Sequence, residues 1–130
     1  MTETRILIAE DEVVLRFLLS ETLEDAGYSI TEAADGHEAI LRLQDTCFDL
    51  IIVDYMMPEA TGIEVCERLR AGGGPNAAKP VILLTAKVQE QDRIRAEVAG
   101  ITKYISKPFS PIQLLDEVDA LIQLHQGNGQ

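Results

Sequence analysis

Cysteine is scarce in this chain, with only Cys47 and Cys66 among 130 residues. Two thiols are too few for a disulfide scaffold and their spacing matches no metal pattern, so a reducing compartment is the simplest setting. Long apolar runs are missing as well. The longest clean ones, residues 50–53 and 81–84, are four residues each, whereas a membrane-spanning helix needs about 20. Residues 1–5 contain no basic stretch leading into an apolar core, so no secretory signal is expected and the expected location is the cytoplasm. Basic residues are sparse in one half only. Residues 1–64 carry 15 acids against three bases, residues 65–130 carry seven against eight, and the net charge is −11. An acidic first half repels phosphate backbones, which argues against direct nucleic-acid binding. It could attract a divalent cation or a basic partner, although the total charge by itself also serves solubility.

What is present is a regular alternation. Residues 5–9 form a short apolar run ending in acids. Over residues 13–26 apolar side chains recur at Val14, Leu15, Leu18, Leu19, Leu23 and Ala26, a helical stripe closed by Gly27. Residues 28–33 read as a strand, Asp35-Gly36 as a turn and residues 37–44 as a second helix. Residues 49–53 are continuously apolar after Asp49, as in a strand covered on both faces. Thr61 can cap a third helix to about Arg70, and the glycine-rich residues 71–79 read as a loop. Residues 80–85 form a fourth strand, residues 90–99 a helix stopped by Gly100, and residues 102–106 a fifth strand. Ser110-Pro111 opens a last helix to about His125. The expected organisation is one domain over residues 1–125 and a disordered tail over 126–130, with no repeat and no linker. A chain of this length buries roughly two-thirds of its unfolded surface. Five such β-α units predict an α/β fold, a doubly wound parallel sheet with right-handed crossovers and helices on both faces.

Such a sheet binds ligands at the carboxyl ends of its strands. The first strand ends in Glu10-Asp11-Glu12, the third in Asp54, the fourth in Thr85-Ala86 and the fifth in Lys107-Pro108-Phe109. Two carboxylates 4 Å apart repel by about 4 kcal/mol at an effective dielectric near 20, so converging acids call for a cation. Oxygen donors without His or Cys favour a hard ion, Mg²⁺ first, with room for water and a phosphoryl group. Taken singly these residues have plainer uses: Asp11 could merely cap the first helix, and Asp54 could be a turn residue. Those uses leave unexplained why acid, acid, hydroxyl and ammonium sit on four strands at the same end.

The segments Ile-Ala-Glu10-Asp11-Glu12, Ile-Ile-Val-Asp54-Tyr-Met-Met-Pro58-Glu-Ala-Thr-Gly62, Leu-Leu-Thr85-Ala86 and Ile-Ser-Lys107-Pro108-Phe109 resemble the receiver domains of two-component response regulators. The resemblance runs from Arg5 to about Leu124. It implies a flavodoxin-like sheet of order 2-1-3-4-5. It implies Asp54 as phosphoacceptor, with Mg²⁺ held by Glu10, Asp11, Asp54 and the Met56 backbone carbonyl. Thr85 and Lys107 would bind phosphoryl oxygens, Lys107-Pro108 would be a cis peptide, and Thr85 and Tyr104 would form the switch. The family mostly carries two aspartates where this chain has Glu10-Asp11, and glutamate is longer by one methylene.

The implied function is a phosphorylation-switched signalling domain rather than an enzyme with a separate substrate: it catalyses only its own phosphorylation and dephosphorylation. The donor would be a histidine kinase or phosphotransfer protein. The changed surface of the fourth helix, fifth strand and fifth helix would address a downstream effector protein or domain. Val13 and Phe17 would dock the kinase. Met56 and Lys87, two residues beyond Asp54 and Thr85, would make the adduct long-lived. Few bases near the last helix predict a monomer, or at most a weak dimer once phosphorylated. An aspartyl-phosphate hydrolase would need an acid where Met56 stands. A degenerate receiver serving only as an interaction module is the other alternative, and the intact Asp11, Asp54, Thr85 and Lys107 set argues against it.

Overall fold

The computed structural model describes residues 3–86 and 90–128. Among these, strands β1 (Arg5–Ala9), β2 (Ser29–Ala33), β3 (Leu50–Asp54), β4 (Val81–Thr85) and β5 (Lys103–Ser106) alternate with helices α1 (Val13–Asp25), α2 (Gly36–Asp45), α3 (Gly62–Gly72), α4 (Glu90–Ala99) and α5 (Pro111–Asn128). All neighbouring strands are parallel, as the β-α alternation predicts, in the order β2-β1-β3-β4-β5 that the family resemblance implies. No helix among the described residues is long and apolar enough to cross a membrane.

The strand pattern explains the two layers. Side chains alternate faces with period two. Leu7, Ala9, Ile51, Val53, Val81 and Leu83 pack with Ala39, Leu43, Ile63, Val65, Cys66, Leu69, Ala96 and Ala99 of α2, α3 and α4. Ile6, Ile8, Leu50, Ile52, Ile82, Leu84 and Ile105 pack with Leu19 and Leu23 of α1 and Leu114, Val118 and Ile122 of α5. Each fully buried Ile or Leu contributes about 1.5–3 kcal/mol, so the central strands carry most of the apolar driving force.

Four local readings are corrected by the coordinates. On α1 the inward arc is Leu19, Ser20 and Leu23, with Leu15 beside it; Val14, Leu18 and Ala26 of the expected stripe face outward. Arg16 and Ser20 occupy inward positions because Glu32 of β2 meets both, Arg16 Nε donating at 3.2 Å and Ser20 Oγ at 2.6 Å. Asp35-Gly36 is a helix start rather than a turn: the Asp35 carboxylate accepts from the Glu38 N–H at 2.8 Å and caps α2. Asp11 does not cap α1, whose N-cap is Glu12, without a side-chain cap bond. Finally, α5 runs to Asn128, past the expected end at His125. Residues 129–130 of the expected tail lie outside the described residues. Other punctuation stands as read. Thr61 caps α3 in a reciprocal box with Glu64, Ser110 accepts from the Gln113 N–H at 3.0 Å, and Gly27 follows α1 at φ 100°.

The segment after α3, read from sequence only as a loop, is held by two side chains. Asn76 is 1% exposed. Its amide donates to Leu43 O at 2.9 Å and Thr46 O at 2.7 Å and accepts from the Phe48 N–H at 2.7 Å. Arg70 donates to Ala77 O at 2.9 Å, Lys79 O at 2.6 Å and Gly100 O at 2.6 Å, joining this segment to the end of α4. Removing Asn76 strands three backbone groups, each costing about 1–3 kcal/mol when buried without a partner. Asn76→Ala should therefore lower the unfolding free energy in urea by about 3 kcal/mol, and a loss below about 1 kcal/mol would contradict this role.

Candidate functional site

The crossover through α1 leads from β1 outward to β2, and the one through α2 returns past β1 to β3. The connections diverge between β1 and β3, where a doubly wound sheet opens a crevice at its carboxyl edge. Ala9 pairs with Val53, so the next residues, Glu10 and Asp54, emerge side by side. Thr85 closes β4 opposite Ser106, and Lys107 follows β5 with its N–H donating to Thr85 O at 2.7 Å. Topology alone thus delivers the four strand-end groups to one rim.

Ligand atoms from Glu10, Asp11 and Asp54 all lie within 4.8 Å of one another. Glu10 is 1% and Asp54 5% exposed, while Asp11 faces solvent. The Lys107 ammonium stands 2.9 Å from Asp54 Oδ1 and 3.4 Å from Glu10 Oε1. Three carboxylates against one ammonium leave two negative charges unmatched, which suits a divalent cation bound by oxygens. The titration directions follow. Burial pushes the Asp54 carboxyl up, the Asp11 charge adds to it, and Lys107 opposes. Burial likewise raises Glu10, assisted by Asp54 and resisted by the Glu12 N–H that its Oε2 accepts at 3.0 Å. Burial disfavours the Lys107 charge, but hydrogen bonding and attraction from Asp54, then Glu10, outweigh it and hold the ammonium above its ordinary range.

The backbone around these groups is tightly fixed. The Glu10 N–H donates to Ala33 O at 3.1 Å, and Arg16 Nη1 donates to Glu10 O at 2.7 Å. After β3 the chain makes a tight turn: the Ala60 N–H reaches Pro58 O at 2.9 Å across Glu59, which sits at φ 75°. The Gly36 N–H meets the same Pro58 carbonyl at 3.1 Å. A Cβ on Gly36 would lie 2.4 Å from Ala60 O, and one on Gly62 would lie 2.6 Å from Asp54 O. Both glycines let helices approach the acid-bearing loops more closely than any side chain permits. The Lys107-Pro108 peptide is cis.

Asp54, Tyr55, Met56, Thr85, Ala86, Asp92 and Lys107 line a cavity of about 250 Å³. A larger concavity, about 440 Å³ between α2, α3 and the segment after α3, lies away from the acids and collects no comparable chemistry. Glu10, Asp11, Asp54, Thr85, Met56 and Lys107 are therefore gathered, Met56 with an exposed side chain. Tyr104 is not at the acids: its hydroxyl donates to Arg93 O on α4 at 3.3 Å and its ring lies beneath the Arg93 guanidinium. Lys87 lies outside the described residues. The sequence reading missed Arg16, Tyr55 and Asp92. Arg16 was legible as the base one turn beyond the acids; the Tyr55–Asp92 pairing spans 37 residues and leaves no local signal.

Adding a divalent cation should stabilise the protein. At ten times its dissociation constant it contributes about 1.4 kcal/mol, or a rise of roughly 3–6 °C in thermal midpoint for a domain of this size. Asp11→Asn should remove most of that rise in a Mg²⁺ titration followed by circular dichroism. No shift in the parent chain, or an equal shift in Asp11→Asn, would contradict a cation site here.

The chain matches the family model "Response regulator receiver domain" over residues 6–119. It is 44% identical over 121 residues to the transcriptional regulatory protein ResD of Bacillus subtilis, covering 93% of this chain and 49% of that protein. The chain spans about half the length of the curated relatives it matches. Among solved structures it resembles the chemotaxis protein CheY4 of Vibrio cholerae, with TM-score 0.87, 32% identity and coverage of 92% and 99%. It also resembles the receiver domain of sensor histidine kinase PA1611 from Pseudomonas aeruginosa, with TM-score 0.83, 29% identity and coverage of 94% and 99%; that structure holds a magnesium ion in its active-site cleft. A family match over most of the chain and a relative 44% identical over 121 residues place the chain in the receiver domain family of response regulators.

Proposed function

We propose that this domain is switched by phosphorylation of Asp54 by a histidine kinase or phosphotransfer protein. The observation that carries the reading is the Lys107 ammonium 2.9 Å from Asp54 Oδ1, beside the Glu10 and Asp11 carboxylates. An Asp54 oxygen attacks phosphorus, the P–N bond to the donor imidazole breaks, and its electron pair leaves with the imidazole. Mg²⁺ held by Glu10, Asp11, Asp54 and the Met56 carbonyl would neutralise charge on the transferring group. Lys107 and Thr85 receive phosphoryl oxygens. The domain promotes only its own phosphorylation and dephosphorylation, since Met56 stands where an aspartyl-phosphate hydrolase needs a proton-carrying acid.

The switch runs through Thr85 and Tyr104. Thr85 moves toward the phosphoryl group, Tyr104 leaves Arg93 and turns inward, and the face built by α4, β5 and α5 changes for a downstream effector. The kinase docks on α1, where Val13, Val14 and Phe17 are exposed, Phe17 by 64%. Before phosphorylation the domain is a monomer. Of the bases that could reach a second copy, Lys103 is paired with Glu117 and Arg95 with Glu67 in the same chain, both at 3.1 Å. Any activated dimer is weak, because exposed pairs contribute only about 0–1 kcal/mol each. Methionine at position 56 cannot orient a hydrolytic water, so the adduct is long-lived.

Acetyl phosphate with Mg²⁺ should label the parent chain once, and Asp54→Asn should not be labelled, because a neutral amide is a poor nucleophile. Phe17→Ala should keep its acetyl phosphate rate yet accept phosphate about tenfold more slowly from a histidine kinase that labels the parent chain. Labelling of Asp54→Asn would overturn the phosphoacceptor assignment, and equal slowing with both donors would overturn docking on α1.

A further inference from the structure

Two tyrosines grip consecutive residues at the start of α4. Tyr104 of β5 donates to Arg93 O at 3.3 Å, and Tyr55, the residue after Asp54, donates its hydroxyl to Asp92 Oδ1 at 2.9 Å. The Tyr55 hydroxyl is held in its protonated, donating form first by that bond to Asp92. Asp92 also lines the 250 Å³ cavity that contains Asp54, Thr85 and Lys107. Asp92, on the first turn of α4, therefore borders the space in which a phosphoryl group on Asp54 would sit. The Tyr55 backbone, meanwhile, is fixed to the sheet through its N–H to Leu84 O at 2.8 Å.

We propose that Asp92 is the residue through which negative charge arriving at Asp54 acts on α4, and that the Tyr55–Asp92 hydrogen bond is the latch this repulsion opens. The inference rests on Asp54 as phosphoacceptor and adds to that reading a second connection to α4, independent of Tyr104. The two carry different information. Tyr104 responds to space vacated beside Thr85, whereas Asp92 responds to charge alone. Because Asp92 and Arg93 are adjacent, opening one latch strains the other, and α4 releases its first turn as a unit.

The latch and the sensor separate in two variants. Tyr55→Phe removes the donor and leaves the charge. Asp92→Asn keeps an acceptor for Tyr55 and removes the charge. Beryllofluoride with Mg²⁺ serves as the phosphoryl probe, read by amide chemical shifts of residues 90–93 and by titration. Tyr55→Phe should bind the probe up to about tenfold more tightly, since a hydrogen bond to a charged acceptor no longer opposes release. Its α4 amide shifts without probe should already lie part-way to the bound positions. Asp92→Asn should label with acetyl phosphate severalfold faster, because a like charge at the cavity wall is gone. The shift changes of residues 90–93 on probe binding should fall by about half or more in that variant. A purely structural contact would weaken both variants in the same direction. Unchanged shifts and affinity in Tyr55→Phe, with the parent chain binding the probe, would overturn the latch and leave the phosphoacceptor reading standing. Failure of the parent chain to bind or label would overturn both.

Discussion

Two buried carboxylates facing one ammonium at the edge of a parallel sheet set the terms for the rest of this structure. Removing Glu10 and Asp54 from water is costly, and Lys107 offsets only part of that cost. The remainder is a standing demand for positive charge. The surrounding backbone keeps the demand in place: Glu10 is held through Ala33 and Arg16, and Asp54 is backed by Gly62 at a distance no side chain would tolerate. A site that could relax its acids apart would lose this concentration of negative charge.

The sheet supplies that rigidity, while the start of α4 is held more lightly. Alternation along β1, β3 and β4 packs both faces with Ile, Leu and Val, so the strand ends cannot drift. At the rim, by contrast, α4 is joined to the sheet by polar contacts from Tyr55 and Tyr104, and its exposed Ile94 and Val98 make no such commitment. Apolar burial fixes the acids and, through Ala96 and Ala99, the second half of α4, while hydrogen bonds from Tyr55 and Tyr104 hold its start. A charge change of the size of one phosphoryl group acts on the second kind of bond far more readily than on the first.

Much of this was legible in the sequence. Apolar runs flanked by caps and glycines located every strand and helix, and strand-end chemistry pointed to one rim because parallel topology leaves those residues no other place to go. Helix faces were harder. On α1 the arcs Leu15-Leu19-Leu23 and Val14-Leu18 share the same four-residue spacing, and only the partner surface, including Glu32 beneath Arg16 and Ser20, tells which arc turns inward. Asn76 looked like any loop residue, yet it satisfies three backbone groups brought from elsewhere in the chain. Tyr55 and Asp92 meet only through the fold, so their pairing could not be read from spacing.

Reductive trapping tests, with no substitution in the chain, whether the acyl phosphate forms on Asp54. Borohydride converts an aspartyl phosphate to homoserine, and peptide mass spectrometry then locates the conversion. After incubation with acetyl phosphate and Mg²⁺, homoserine should appear at position 54 and should vanish when the cation is chelated beforehand. Homoserine at position 11, or phosphate recovered on His37 with Asp54 unchanged, would contradict the account.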